Sequence, residues 1–323
     1  MSRPLKPASA GASHWAERPE RGSFALMRLT AWAARKLGRR AIAPVVALIV
    51  LYFFVFGAVA RRSIAEYQRR LLASAGGSRA APELPRRFPV YRQFLAFGHA
   101  LLDKLDVWQG RIRRADVTII DNDGLHGQME SGRGQMLVGA HLGNLEICRA
   151  LADKHTKAML NVLVHSKHAE QFNRLLDEVG ANGLRLFQVT ELDAGVMLEL
   201  HQRIERGEWL AIAGDRVPVR GGRVTAVDFL GERALLPQGP WLLAGLLRCP
   251  ANVLFCVKQQ GRYRVTLERL ADEVSWKRGQ RDAVIASWAQ RYADRLAEEC
   301  ARAPLQWFNF FPFWNADARP RNP

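Results

Sequence analysis

Acidic residues are scarce in the first third of this chain. Residues 1–114 carry 6 Asp and Glu against 21 Lys and Arg, whereas residues 115–323 carry 25 against 26. The formal charge of +16 over 323 residues therefore belongs almost entirely to the N-terminal third. An anionic partner surface is implied there. The balanced remainder argues against a nucleic-acid binder, which would need basic residues interleaved with aromatics across the body. Cysteine is equally sparse: Cys148, Cys249, Cys256 and Cys300 lack the paired close spacing of zinc knuckles. A disulfide scaffold is excluded on the same ground, and a reduced, cytosol-facing body is expected. Internal repeats and low-complexity tracts are missing. Hydrophobic residues at 48% and charged residues at 24% rule out wholesale disorder.

Long hydrophobic runs are missing too, with one exception, so a multi-span membrane protein is excluded. Ala41 to Ala60 is a run of 20 uncharged residues, AIAPVVALIVLYFFVFGAVA. As one helix it would span about 30 Å, the thickness of a bilayer core. Arg35, Lys36, Arg39 and Arg40 precede it, and Arg61, Arg62, Arg69 and Arg70 follow. A membrane anchor is the expected role. Basic residues on both sides give no orienting asymmetry. The topology stays open between a spanning helix, a hairpin and a tilted segment at an anionic leaflet. Residues 1–75 thus read as a basic membrane-anchoring region, the Gly/Ser/Pro-rich 76–90 as a linker, and 91–323 as the body of the chain.

That body alternates. Strands are expected at 117–120, 134–140, 158–164, 184–189, 209–213, 251–258 and 263–267. Helices are expected at 91–108, 145–154, 169–179, 193–206, 240–247 and 281–301. The alternation predicts an α/β sandwich around a mainly parallel sheet.

In such sheets, reacting groups gather at the carboxyl ends of strands. Gly134-Gln-Met-Leu-Val-Gly-Ala-His141-Leu-Gly-Asn-Leu-Glu146 reads as a strand ending at His141, a turn at Gly143, and a helix capped by Asn144 and carrying Glu146. A carboxylate one turn on can accept the imidazole Nδ1–H, fix the tautomer and leave Nε2 as a base. The expected pair is therefore His141 with Glu146. Backbone N–H groups of Gly143 and Asn144 are the expected oxyanion donors. Metal binding is not expected: His165 and His168 lack acidic ligands nearby and read as solvated loop residues.

Further segments raise this pattern above chance. Ala213-Gly-Asp215-Arg216, Pro218-Val-Arg220-Gly-Gly222, Phe229-Leu-Gly231, Leu236-Pro-Gln-Gly-Pro240 and Pro304-Leu-Gln-Trp307 follow in order. Together with GAHLGNLE they resemble the bacterial lipid A biosynthesis (lauroyl/myristoyl) acyltransferases of the His-x4-Asp/Glu group. Two departures, His14–Ser23 and the aromatic run Phe308–Trp314, resemble the subgroup found with aryl-polyene lipid biosynthesis genes. The resemblance implies a glycerolipid-acyltransferase-like fold at the bacterial inner membrane, facing the cytoplasm. It implies acyl transfer from a thioester, on acyl carrier protein or coenzyme A, to a lipid or glycolipid hydroxyl or amine. His141 would be the base and Glu146 its orienter. Arg216 would contact a phosphate, Asp215 would position Arg216 or the acceptor, and Arg220 would extend the anionic site. No cofactor is expected, because a thioester is already activated. The alternative is a non-catalytic lipid-binding or scaffolding protein on the same fold. The terminal aromatics fit either core packing or a membrane-facing role.

Overall fold

A computed structural model describes residues 39–74, 82–108, 111–129, 132–151, 159–164, 184–188, 193–217 and 222–314. Arg220, His165, His168 and the helix expected at 169–179 lie outside the described residues.

Among the described residues, three helices come first: α1 (Arg39–Phe56), α2 (Ala58–Ser74) and α3 (Pro89–Trp108). Then follow β1 (Val117–Asp121), a short α4 (Leu125–Gln128), β2 (Met136–Gly139), α5 (Glu146–Leu151), β3 (Leu160–Val164) and β4 (Leu184–Gln188). The remainder is α6 (Ala194–Glu205), β5 (Trp209–Ala213), β6 (Val224–Phe229), β7 (Glu232–Pro237), α7 (Gly239–Leu247), β8 (Ala251–Gln259), β9 (Arg262–Ala271) and α8 (Arg281–Arg302).

Seven strands form one sheet in the order β1-β9-β8-β2-β5-β3-β4. The block β8-β2-β5-β3-β4 is parallel throughout. β9 turns back antiparallel to β8, and β1 runs parallel to β9, so the two strands on one side of the sheet oppose the rest. Buried strands read as near-continuous apolar runs because both faces are covered, and β8 is the clearest, buried from Ala251 to Val257. Its side chains alternate between two cores. Val253, Phe255 and Val257 join the large cluster under α6, α7 and α8, while Leu254 and Cys256 join the cluster on the opposite face. The expected mainly parallel α/β sandwich is the architecture found.

The hairpin β6–β7 was not anticipated. It pairs antiparallel outside the main sheet. Leu230 and Gly231, at φ 53° and 78°, make its two-residue turn, the mirror-image geometry that suits the strand twist. Gln290 of α8 holds it by accepting from Asp228 N–H at 2.8 Å and donating to Asp228 C=O at 2.9 Å.

The apolar run 41–60, whose topology the sequence leaves open, is broken at Gly57. α1 and α2 meet at 91°, and among the described residues no single helix is long and apolar enough to cross a membrane. Arg61 donates from its guanidinium to the Phe54 and Val55 carbonyls, satisfying groups that the break strips of helical partners. One face of α1 (Ile42, Val46, Val50) packs with Ile64, Phe94 and Leu102 into a small core. Beyond the bend, Tyr67 and Leu71 of α2 are buried in the large core beside Trp307.

Candidate active site

Adjacent parallel strands place the reacting groups. Gly139 at the end of β2 pairs in register with Ala213 at the end of β5. His141 and Asp215 each lie two residues beyond that pair, at the carboxyl edge of the sheet. His141 Nδ1 lies 2.8 Å from Asp215 Oδ1, and the His141 backbone N–H donates to Oδ2 at 2.9 Å. The Trp307 indole N–H also donates to Oδ2, at 3.1 Å.

Asp215 is 1% exposed and the His141 side chain 37%. Burial alone would push the Asp215 carboxyl up. The His141 imidazole, its two hydrogen bonds and the neighbouring Arg216 guanidinium outweigh that and hold it below the ordinary value. An ionised carboxylate only accepts, so Nδ1 carries the proton. Nε2, which makes no hydrogen bond among the described residues, is left basic.

The expectation that Glu146 takes the Nδ1–H is therefore corrected. Asp215, read from sequence as a partner of Arg216 or the acceptor, occupies that position. Glu146 opens α5, and its backbone N–H donates to Asn144 Oδ1 at 3.3 Å. The physical reason is topological: sheet pairing brings a residue 74 positions away closer to the ring than the next helical turn does.

The oxyanion expectation is corrected as well. The Gly143 N–H donates to Gln306 C=O at 2.8 Å, and the Asn144 N–H to Cys256 C=O at 2.9 Å. Both donors are committed to holding the loop. Gly143 sits at φ 66°, and a Cβ there would lie 1.9 Å from the Cys256 oxygen, so no other residue fits. Asn144 contributes through its side chain, donating to Ala100 C=O at 3.1 Å.

Arg216 follows Asp215 directly. Its Nη2 donates to Phe308 C=O at 3.1 Å, and the guanidinium lies 5.8 Å from the Phe311 ring centre. Desolvation lowers its pKa, and Asp215 opposes the shift.

The C-terminal segment completes the site. Phe308 N–H donates to His141 C=O at 2.8 Å, so with the Gly143–Gln306 bond it forms a short antiparallel clasp on the His141 loop. Gln306 is locked in turn: its amide donates to Lys258 C=O at 2.7 Å and accepts from Lys258 N–H at 2.8 Å. A cavity of about 370 Å³ adjoins the turn, lined by His99, Asp103, Gly143, Asn144, Lys258 and Phe308 among others. The aromatic run is largely core: Trp307 stacks edge-on to Phe229 and Phe313, and Phe308 and Phe310 pack on Phe97. Sequence reading missed Trp307 as a partner of Asp215. The Gln-Trp pair was visible, but only the fold shows what the indole touches.

This geometry is a histidine paired with a buried carboxylate, set at the carboxyl ends of a parallel sheet. The chain belongs to the bacterial lipid A biosynthesis acyltransferase family, which matches it over residues 86–316. It is similar to the phosphatidylinositol mannoside acyltransferase of Mycolicibacterium smegmatis (strain ATCC 700084 / mc(2)155), 25% identical over 202 residues. That alignment spans 62% of each chain.

Proposed function

We propose that this chain transfers a fatty-acyl group from a thioester to a hydroxyl or amine of a lipid or glycolipid at the cytoplasmic face of a bacterial inner membrane. The observation that carries the reading is the 2.8 Å contact between His141 Nδ1 and buried Asp215. Nε2 removes the acceptor proton as the acceptor O or N attacks the thioester carbonyl. Collapse of the tetrahedral intermediate breaks the C–S bond, and the same proton passes from His141 to the departing thiolate. Asp215 holds the tautomer and stabilises the transient imidazolium, as the buried carboxylate of a catalytic triad does. Arg216 supplies positive charge beside this pair for a phosphate on donor or acceptor. Arg220 belongs to the same proposed anionic site on sequence grounds alone.

Acyl carrier protein and coenzyme A are both suitable donors, since each presents the same phosphopantetheine thioester. Acceptors within this reading are a lipid A precursor, an aryl-polyene lipid and, by likeness to the mycobacterial relative, a phosphatidylinositol mannoside. Membrane association is supported by the exposed apolar residues of α1, among them Leu48, Tyr52, Val55 and Phe56.

Lipid mass spectrometry on cells with and without the protein tests the reading. A mass difference of one acyl group, absent when His141→Ala replaces the wild type, is expected. Acyl transfer by purified His141→Ala protein at the wild-type rate would overturn His141 as the base, and identical lipid masses with and without the wild-type protein would favour the lipid-binding alternative.

A further inference from the structure

The Asp215 carboxylate has two oxygens and a soft torsion about its Cβ–Cγ bond. For Oδ1 to face the imidazole, something must hold Oδ2. Two N–H groups do so: the His141 backbone at 2.9 Å and the Trp307 indole at 3.1 Å. They differ in kind. The backbone donor belongs to the residue being oriented, so it moves with His141. The indole comes from a separate segment and is itself immobilised from three sides.

Gln93 of α3 donates to the Trp307 carbonyl at 2.7 Å, and Gln68 of α2 donates to Gln93 at 2.8 Å. The ring is 0% exposed and packs against Tyr67, Phe229, Phe313 and Trp314. The flanking residues Gln306 and Phe308 are bonded to the His141 loop. An indole N–H is a donor with no acceptor capacity, so in this cage it can serve only an acceptor. Asp215 is the acceptor present.

We infer that Trp307 is a positioning residue: its indole N–H fixes the rotation of the Asp215 carboxylate and so holds His141 in the tautomer with Nε2 unprotonated. The inference rests on the acyl-transfer reading for its consequence in catalysis, but the geometry is independent of it. Without the indole donor, the carboxylate can rotate and the Nδ1–H bond loosens. The alternative tautomer, with the proton on Nε2, is useless as a base, and its share rises.

Trp307 is also a core residue, so Trp307→Phe removes packing together with the N–H. The discriminating protein is full-length chain with 3-benzothienylalanine inserted site-specifically at position 307. Sulfur there replaces the N–H within nearly the same outline. Its readout is the ¹⁵N spectrum of histidine-labelled protein, with His141 assigned from His141→Gln. Wild type is expected to show one His141 tautomer, protonated at Nδ1, with slow solvent exchange of that proton. The analogue is expected to show a mixed tautomer, faster exchange, and a melting temperature lowered by no more than the loss of one hydrogen bond, well above that of Trp307→Phe. With decanoyl-coenzyme A and a total lipid extract, kcat should fall about ten- to hundredfold at constant KM, the size of one lost charge-assisted hydrogen bond.

An unchanged tautomer and exchange rate in the analogue would overturn the inference, whatever Trp307→Phe does to stability. Because the spectra need no substrate, they hold even where the acyl-transfer reading fails. That reading falls instead if purified wild-type protein moves no acyl group from the thioester to any lipid of the extract.

Discussion

A carboxylate that is 1% exposed is tolerated at the edge of this sheet because three N–H groups point at it. Asparagine at that position keeps the shape but loses the preference for an Nδ1–H partner. Asp215→Asn is therefore expected to lower kcat on the order of 10³- to 10⁴-fold, as in other histidine–carboxylate pairs, with little change in KM for acyl-coenzyme A. Steady-state kinetics on purified protein check this.

The same group makes an acid-stability prediction. Its folded pKa lies below the ordinary 3.8, so its contribution is fully present above that value and is lost as pH falls through the folded one. Melting curves should show the wild-type advantage over Asp215→Asn shrinking as pH falls below about 4 toward 3. A gap that widens on acidification would contradict it. His141 was legible in the sequence, because a strand, a glycine turn and a helix cap announce a residue at a strand's carboxyl end. Its partner was not. Local spacing points to Glu146, and the choice of Asp215 depends on which strand lies beside β2.

Elements repeat that contrast. β2, β5 and β8 were legible as apolar runs because both faces of the sheet are covered. The β6–β7 hairpin escaped notice because its strands mix exposed Asp228, Glu232 and Arg233 with buried Phe229 and Leu236. A half-buried strand outside the main sheet carries a weak periodic signal. The break at Gly57 was hidden inside a run whose composition fits one continuous helix.

What composition also hides is how close α1 comes to α3. A Cβ at Gly98 would stand 2.8 Å from Val50 Cγ2 and 3.0 Å from Val46 Cγ1. Gly98→Leu is expected to force the two helices apart, at a cost of about 1–3 kcal/mol. Urea denaturation should show a lower midpoint.

For the whole molecule, the question is how a basic collar and one apolar helix meet a bilayer. The 18 residues of α1 extend about 27 Å, almost enough to span. A spanning helix, however, needs lipid or apolar protein all round, and α1 reaches a right-angle bend with one face already committed to α3. Its other face is open, with Leu48 and Phe56 each 66% exposed and Val55 52%. Exposed Arg62 and Arg69 follow on α2. An exposed apolar stripe beside cationic residues suits a helix lying in the plane of an anionic surface.

Burying two such side chains fully is worth about 3 kcal/mol or more, so charging them should weaken partition at least about a hundredfold. Leu48→Glu combined with Phe56→Glu is expected to release full-length protein from phosphatidylglycerol vesicles in flotation assays. Its melting temperature should be unchanged, since neither side chain packs in the core. High salt should release wild type only in part, because screening weakens the collar and leaves the apolar contact. Complete release of wild type by salt, with the double variant binding like wild type, would assign the whole attachment to charge and remove α1 from it.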